Sequence, residues 1–371
     1  MIVECVILSV LYLEEKICEL FPVRIWEKFR VCLAISGGSD SVALLRAMSA
    51  IAERHRLRDN LCVVTINHKL RGEESDEEAR FVQKLARNLG ISAVVKNVDH
   101  VAMAEEAQRV KSLESAARNA RYRLLLEEAE RRGARYLLTA HHVDDQLETI
   151  LFRLMRGVGL DGAYGISVFR PLNDATVLAR PMLKVTRDEV LEYLAILRQD
   201  YRTDSSNASN KFVRNRIRNE LVPTLNSIFP KQWQKSLLRH VEICKNAQEA
   251  LDQESFKLEQ EILQEERRNA LFLQTLNALD AVHNQEATNV SLPHKSIAFP
   301  LAILQQRSEE VLRVFFRRVW RNQAWSVIDM GDDEWRRLAA STKRGTTTNQ
   351  FPGNIVLTYH KGCVAILTQM D

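Results

Sequence analysis

Ser36-Gly37-Gly38-Ser39-Asp40-Ser41 packs hydroxyls, glycines and a carboxylate into one short run. Such a run can bind an anion. Gly37 and Gly38 let the backbone turn several N–H groups toward one phosphate, and the Ser36, Ser39 and Ser41 hydroxyls add donors. A Walker-type loop would need a lysine just before the last hydroxyl residue; Asp40 stands there instead, so the loop is of another kind. A second cluster gathers His141, His142, Asp144, Asp145 and Glu148. Asp145 and Glu148 are three apart, so a helix presents both carboxylates on one face, suited to a cation or an amine. Acids in a first helical turn also serve the helix dipole, and paired histidines could bind a metal or act as a base. Glu114, Arg118 and Arg121 fall at i, i+4 and i+7, a cationic face or a solvated salt bridge.

The surrounding pattern says what must hold these groups. Val31 to Ile35 is a continuous apolar run ending at the glycine loop, and a helix starts at Val42, with Asp40 or Ser41 available to cap it. Leu61 to Ile66 repeats the strand pattern, with Asn67, His68, Leu70 and Arg71 at its carboxyl end. Ser75 and Glu78 form a capping box for a helix through Leu89, and Ile91 to Val98 reads as a third strand. A helix over Ser112 to Gly133 and a strand over Tyr136 to Ala140 then lead to the histidines. Alternation of this kind predicts an α/β fold, a mainly parallel sheet with helices on both faces and ligands at the carboxyl ends of the strands.

The chain has 371 residues, 46% hydrophobic, with a net charge of +4, enough for a soluble protein of two or three domains. The opening segment through Lys16 contains Glu4, lacks a basic start and is too short to span a bilayer; it predicts an amphipathic helix beside the first strand and no membrane association. Cys5, Cys18, Cys32, Cys62, Cys244 and Cys363 form no CxxC pair, as expected of reduced thiols in a cytoplasmic protein.

SGGSDS resembles the loop with which N-type ATP pyrophosphatases of the PP-loop class hold the β,γ-phosphates of ATP. Asn67-His68-x-Leu70-Arg71, Glu114-x-x-Ala117-Arg118-x-x-Arg121-Tyr122 and His141-His142-x-Asp144-Asp145-Gln146-x-Glu148-Thr149 resemble, in order, the signature blocks of the tRNA(Ile)-lysidine synthase family. Gly157, Gly159, Leu160, Gly162 and Gly165 are similar to its glycine loop, and Asp204 to Asn207 with Arg214-Asn215-x-Ile217-Arg218 to its closing block. Ser209 stands where the family usually has an acid. The resemblance spans about residues 30–220 and implies an adenine nucleotide alpha hydrolase-like fold. It implies ligation of L-lysine to C2 of the wobble cytidine of tRNA(Ile) with a CAU anticodon, with ATP consumed and AMP and pyrophosphate released. In that setting Ser36 to Ser41 hold ATP, Asp40 contacts Mg2+, and Arg118 and Arg121 neutralise phosphate charge. Asp145 and Glu148 bind the lysine ammonium, and His141 or one of these acids takes its proton. The rivals are tRNA 2-thiolation, which would need reactive or cluster-binding cysteines, and a catalytically lapsed tRNA-binding protein.

The second half is organised differently. Residues 1–228 are expected to form the nucleotide-binding domain, 229–295 a helical connector and 296–371 a small α+β domain similar to the family's tRNA-recognition domain. Leu312, Phe315, Phe316 and Val319 predict the inner stripe of a helix, and Arg313, Arg317 and Arg321 its solvent side, free to meet tRNA phosphates together with Arg214 and Arg218. Ile355 to Tyr359 and Cys363 to Leu367 read as a terminal hairpin. A homodimer is compatible with this organisation.

Overall fold

The computed structural model describes residues 12–67, 69, 73–99, 103, 108, 113–157, 164–202, 213–229, 232–268, 296–327, 329–345, 347–360 and 362–370. His68, Leu70, Arg71, Gly159, Leu160, Gly162, Asp204 to Asn207 and Ser209 lie outside the described residues, as does the side chain of Glu114. The chain divides into two compact units, with the change at Leu238/Arg239, inside the segment read as a connector.

In the first unit, helix α1 (residues 12–20) precedes β1 (Arg30–Ala34), α2 (Ser39–Arg54), β2 (Leu61–Asn67), α3 (Glu73–Asn88) and β3 (Ser92–Asn97). Then come α4 (Leu113–Arg131), β4 (Ala134–Leu138), α5 (Val143–Leu154), β5 (Phe169–Pro171), β6 (Val177–Ala179) and α6 (Arg187–Ile196). The sheet order is β3-β2-β1-β4-β6-β5, parallel throughout except for β5, which pairs antiparallel with β6 at the edge. Both sheet faces are covered, which is why the inner strands are continuous apolar runs rather than alternating ones. On one face Val31 and Leu33 pack with Leu13, Ile17 and Phe21 of the α1 region and with Val42, Leu45 and Met48 of α2. On the other, Cys32, Cys62, Val64 and Leu137 pack with Leu125 and Ala129 of α4.

Two local expectations are corrected. The N-cap of α2 is Gly38, with no side-chain cap bond, so neither Asp40 nor Ser41 caps it. Ser75 lies inside α3, whose first turn is already acidic with Glu73, Glu74 and Asp76, so the helix begins without the Ser75 box. The capping box of Thr186 and Glu189 does start α6. Beyond α6, α7 (Val213–Arg216) runs through a π-helical turn (Ile217–Leu221) into α8 (Val222–Ile228).

α9 (Trp233–Arg268) carries the chain into the second unit, where Leu258 and Ile262 join the core. That core also holds β7 (Ser296–Pro300), α10 (Leu301–Gln305), α11 (Glu309–Asn322), α12 (Asp332–Arg344), β8 (Asn349–Phe351), β9 (Ile355–His360) and β10 (Val364–Gln369). Its antiparallel sheet runs β7-β10-β9-β8, so the expected terminal hairpin is the β9–β10 pair. Leu312, Phe315, Phe316 and Val319 are all buried, as their spacing requires. The expected solvent exposure of all three outer arginines is not found. Arg313 and Arg317 are half-buried because Asp332, in the first turn of α12, ion-pairs with both, and the Arg317 guanidinium also lies over the Trp335 ring. Arg321, one turn on, is exposed.

Candidate active site

The ends of β1 and β4, neighbours in the sheet, meet at the site. After β1 the chain turns through Gly37, whose φ of +93° is closed to most side chains, while Gly38 sits at φ −71°, ψ 162°, open to any residue. The turn is tied by Ser41: its Oγ accepts from Ser36 N (3.2 Å) and Gly37 N (3.1 Å) and donates to Gly38 O (2.9 Å). Ser41 is buried, so its hydroxyl shapes the loop, whereas Ser36 is exposed. A Cβ on Gly38 would meet nothing nearer than Ser36 Oγ at 3.7 Å and Arg202 O at 3.9 Å. The loop therefore keeps glycine there for the space above it, not for its own backbone. Arg202 closes one side, its N–H donating to Gly37 O (2.9 Å) and its guanidinium stacking on Phe81.

Asp40, in the first turn of α2, faces His142 at the end of β4, with Asp40 Oδ2 3.5 Å from Nε2. His142 is 1% exposed, and the carboxylates of Asp40, Asp144 and Asp145 surround it. Burial disfavours the imidazolium, but these acids outweigh that and lift His142 to about 10, so it is charged at neutral pH. Its Nδ1 lies 3.2 Å from both Asp144 N and Asp144 Oδ2 and can serve only one of them; as an imidazolium it donates to the carboxylate. Reciprocally, although burial works against their charge, His142 holds Asp40 and Asp144 below the usual carboxylate range. Asp144 also accepts from Arg187 N (3.1 Å), fixing α5 to the start of α6.

His141 has the opposite environment. Burial pushes its pKa down, Asp145 opposes this, and Arg180, Arg118 and Arg121 reinforce it, leaving His141 at about 3 and neutral. Its Nδ1 is 2.9 Å from Thr139 Oγ1. The paired histidines thus divide into a fixed cation and a neutral ring, and among the described residues no three His, Cys, Asp or Glu side chains group to hold a metal.

Asp145 and Glu148 come together on α5, as their spacing predicts. Arg214 and Arg218, from the helical segment carrying the π turn, close over them. Arg218 Nε lies 2.5 Å from Glu148 Oε1 and Arg214 Nε 3.2 Å from Glu148 Oε2, and each guanidinium also reaches Asp145 Oδ1, at 3.5 and 3.6 Å. The first unit thus joins these four residues, which the sequence divided between lysine and tRNA. Glu148 is buried, so a cation arriving there must share or displace guanidinium contacts.

Arg118 and Arg121 lie with their guanidinium carbons 5.1 and 5.5 Å from the centre of the Tyr122 ring. Gln146 has a supporting role: its side chain accepts from Ile166 N (2.5 Å) and donates to Ile166 O (2.8 Å), anchoring the exit of the glycine loop. Gly165 is required there, with φ +68° and a Cβ position that would fall on the Gln146 amide. Asn67 is likewise structural, accepting from Lys69 N (2.8 Å) and donating to Asp76.

Residues 12–225 match the PP-loop domain family, more than half of the chain. The chain belongs to the PP-loop family. Curated relatives include the tRNA(Ile)-lysidine synthases of Geobacter sulfurreducens, 42% identical over 201 residues (54% of this chain, 41% of that one), and Shouchella clausii, 42% over 195 residues (53% and 40%). The matched stretches thus span about two fifths of those relatives' lengths. Among solved structures, the U34-tRNA thiolase NcsA from Methanococcus maripaludis with its [4Fe-4S] cluster superposes with a TM-score of 0.53 at 18% identity, over 65% of this chain and 80% of that one. At that identity the likeness is one of PP-loop fold. Three residues of this PP-loop site escaped sequence reasoning: Thr139, Arg180 and Arg202, single polar positions in apolar or irregular stretches. His142 was visible, but nothing in a His-His pair tells which ring turns inward.

Proposed function

We propose that this PP-loop protein ligates L-lysine to C2 of the wobble cytidine of tRNA(Ile) bearing a CAU anticodon, consuming ATP and releasing AMP and pyrophosphate. Support comes from the relatives of that name together with one feature of the site. The glycine loop and the acid-bearing helix meet at one buried imidazolium, His142, whose Nε2 lies 3.5 Å from Asp40 and 3.7 Å from Asp145, so nucleotide and amine would be brought together by a single hub. Activation by ATP puts AMP on the C2 oxygen, and the ε-amine of lysine then displaces it.

The loop N–H groups and the Ser36 and Ser39 hydroxyls would receive the pyrophosphate. Magnesium fits the donors present, because Asp40 offers an ionised, partly exposed oxygen, and such an ion takes its remaining ligands from phosphates and water. Bound there it would offset phosphate charge. Arg118 and Arg121 would neutralise the charge that develops on activation. Lysine arrives as an ammonium, with a pKa of ~10.4 in water, and Asp145 and Glu148 attract it. Its proton must leave before attack, to His141 or to one of these two carboxylates. The second unit would contact tRNA, with Arg321 its exposed cation on α11. Incorporation of labelled lysine into CAU-anticodon tRNA, dependent on ATP, tests this. A folded, ATP-binding chain that incorporates none refutes it.

A further inference from the structure

Arg170 and Arg180 belong to no signature block, yet both stand at Tyr122. Arg180 follows β6 and is 4% exposed; Arg170 lies on β5 and is exposed, its guanidinium carbon 5.5 Å from the Tyr122 ring centre. Arg180 donates through one terminal nitrogen to Ser167 O (2.7 Å); the Tyr122 hydroxyl interacts with the Arg180 and Arg121 guanidiniums, yet the geometry completes no hydrogen bond at Arg180 Nε or at that hydroxyl, both buried. Among the described residues no carboxylate pairs with Arg118, Arg121, Arg170 or Arg180. A buried guanidinium with no counter-charge is costly, and burial lowers the pKa of Arg180, as do Arg170 and Arg118 beside it. An anion arriving with a ligand would supply the counter-charge that the described residues do not.

That anion belongs to a phosphate, and its position tells which. The ATP loop follows β1, and the sheet order places β4, β6 and then β5 beyond it. Neighbouring strands lie about 4.8 Å apart, so β6 is roughly 10 Å and β5 roughly 15 Å from the loop strand. Guanidinium exposure rises from Arg180 to Arg170, as in a site filled from solvent by a chain passing the sheet edge. We propose that Arg180 and Arg170, with Tyr122 between them, bind a phosphodiester of the RNA strand next to the reacting cytidine. This rests on the RNA substrate proposed above. The other source of such a phosphate is ATP itself.

The experiment measures binding of a labelled anticodon stem–loop RNA carrying CAU to the full chain at several salt concentrations, with ATP affinity and thermal melting alongside. Arg170→Gln and Arg180→Met should each weaken RNA binding about tenfold, since hydrogen bonds to charged groups carry about that factor. Each should also reduce the slope of log K against log [salt] by about 0.7 to 1. ATP affinity should stay within about twofold for Arg170→Gln. Arg180→Met should melt no lower than the parent, because a buried unpaired charge replaced by an apolar chain of similar length is relieved. If it fails to fold, Arg180 is a structural residue and the buried anchor is refuted, while Arg170→Gln still reads the outer contact. An unchanged salt slope in folded variants overturns the proposal. Equal losses of ATP and RNA affinity would assign the phosphate to the nucleotide and overturn it too. No RNA binding by the parent chain would remove the RNA reading itself along with this site.

Discussion

Replacing His142 with glutamine removes the one titrating cation that joins the loop to α5, at similar volume and with hydrogen-bonding capacity retained. The ring is 1% exposed and within 3.2 to 3.7 Å of carboxylate oxygens of Asp144, Asp40 and Asp145, so its loss leaves three acids facing one another. Breaking a buried ion pair by removing one partner costs about 3–5 kcal/mol. The linkage sign is definite. A folded pKa of about 10 lies above the value of about 6.5 for an unfolded histidine, so the native state binds a proton that the unfolded state has released. The stabilisation is complete below about pH 6.5 and is lost as pH rises through about 10, at about 1.4 kcal/mol per pH unit. Denaturant unfolding of parent and His142→Gln between pH 6 and 10 is the assay. The parent should lose stability across this window, and the variant should be less stable at pH 7 and lack that slope. A melting point lower by roughly 10 °C at pH 7 is expected for a unit of this size. ATP should also bind the variant more weakly, because Asp40 loses its counter-charge beside the phosphate loop. An identical pH slope in the two proteins would refute the buried imidazolium.

The glycines of the loop should separate by mechanism. Gly38→Val should fold normally but lose ATP binding by calorimetry, since its backbone angles suit any residue and only the ligand side is crowded. Gly37→Ala should lower stability by about 1–3 kcal/mol in denaturant titration through its positive φ. Asp145→Asn should raise the lysine KM more than the ATP KM in steady-state kinetics; equal changes would remove it from the amine site. Glu148→Gln should in addition lower the melting temperature, because Arg214 and Arg218 lose a buried partner. On α11, Arg321→Gln should weaken tRNA binding and flatten its salt dependence with stability changed by less than ~0.5 kcal/mol, whereas Arg313→Gln should destabilise by breaking its pair with Asp332.

Much of the architecture follows from local pattern. Continuous apolar strands separated by amphipathic helices allow few arrangements other than a parallel sheet, and SGGSDS after the first strand marks a tight turn because glycine permits the positive φ at Gly37. Asp145 and Glu148 had to share a face, since helical spacing is a local property. What surrounds each of these groups is set by chain segments far away in sequence. Asp40 meets His142 because β1 and β4 are neighbours in the sheet, and Glu148 meets Arg214 and Arg218 because a distant helix returns over α5. Adjacent histidines thereby acquire opposite charge states: carboxylates overcome burial at His142, at about 10, whereas burial, reinforced by arginines, keeps His141 neutral, at about 3. Arg313 and Arg317 looked like solvent-facing cations because helical periodicity shows only which side is polar. That Asp332 covers that side depends on where α12 docks. Sequence alone determined the fold class, the glycine turn after the first strand and which residues could carry charge; the tertiary structure decided their partners, and so their protonation, because electrostatic energy depends on distance in space and on burial.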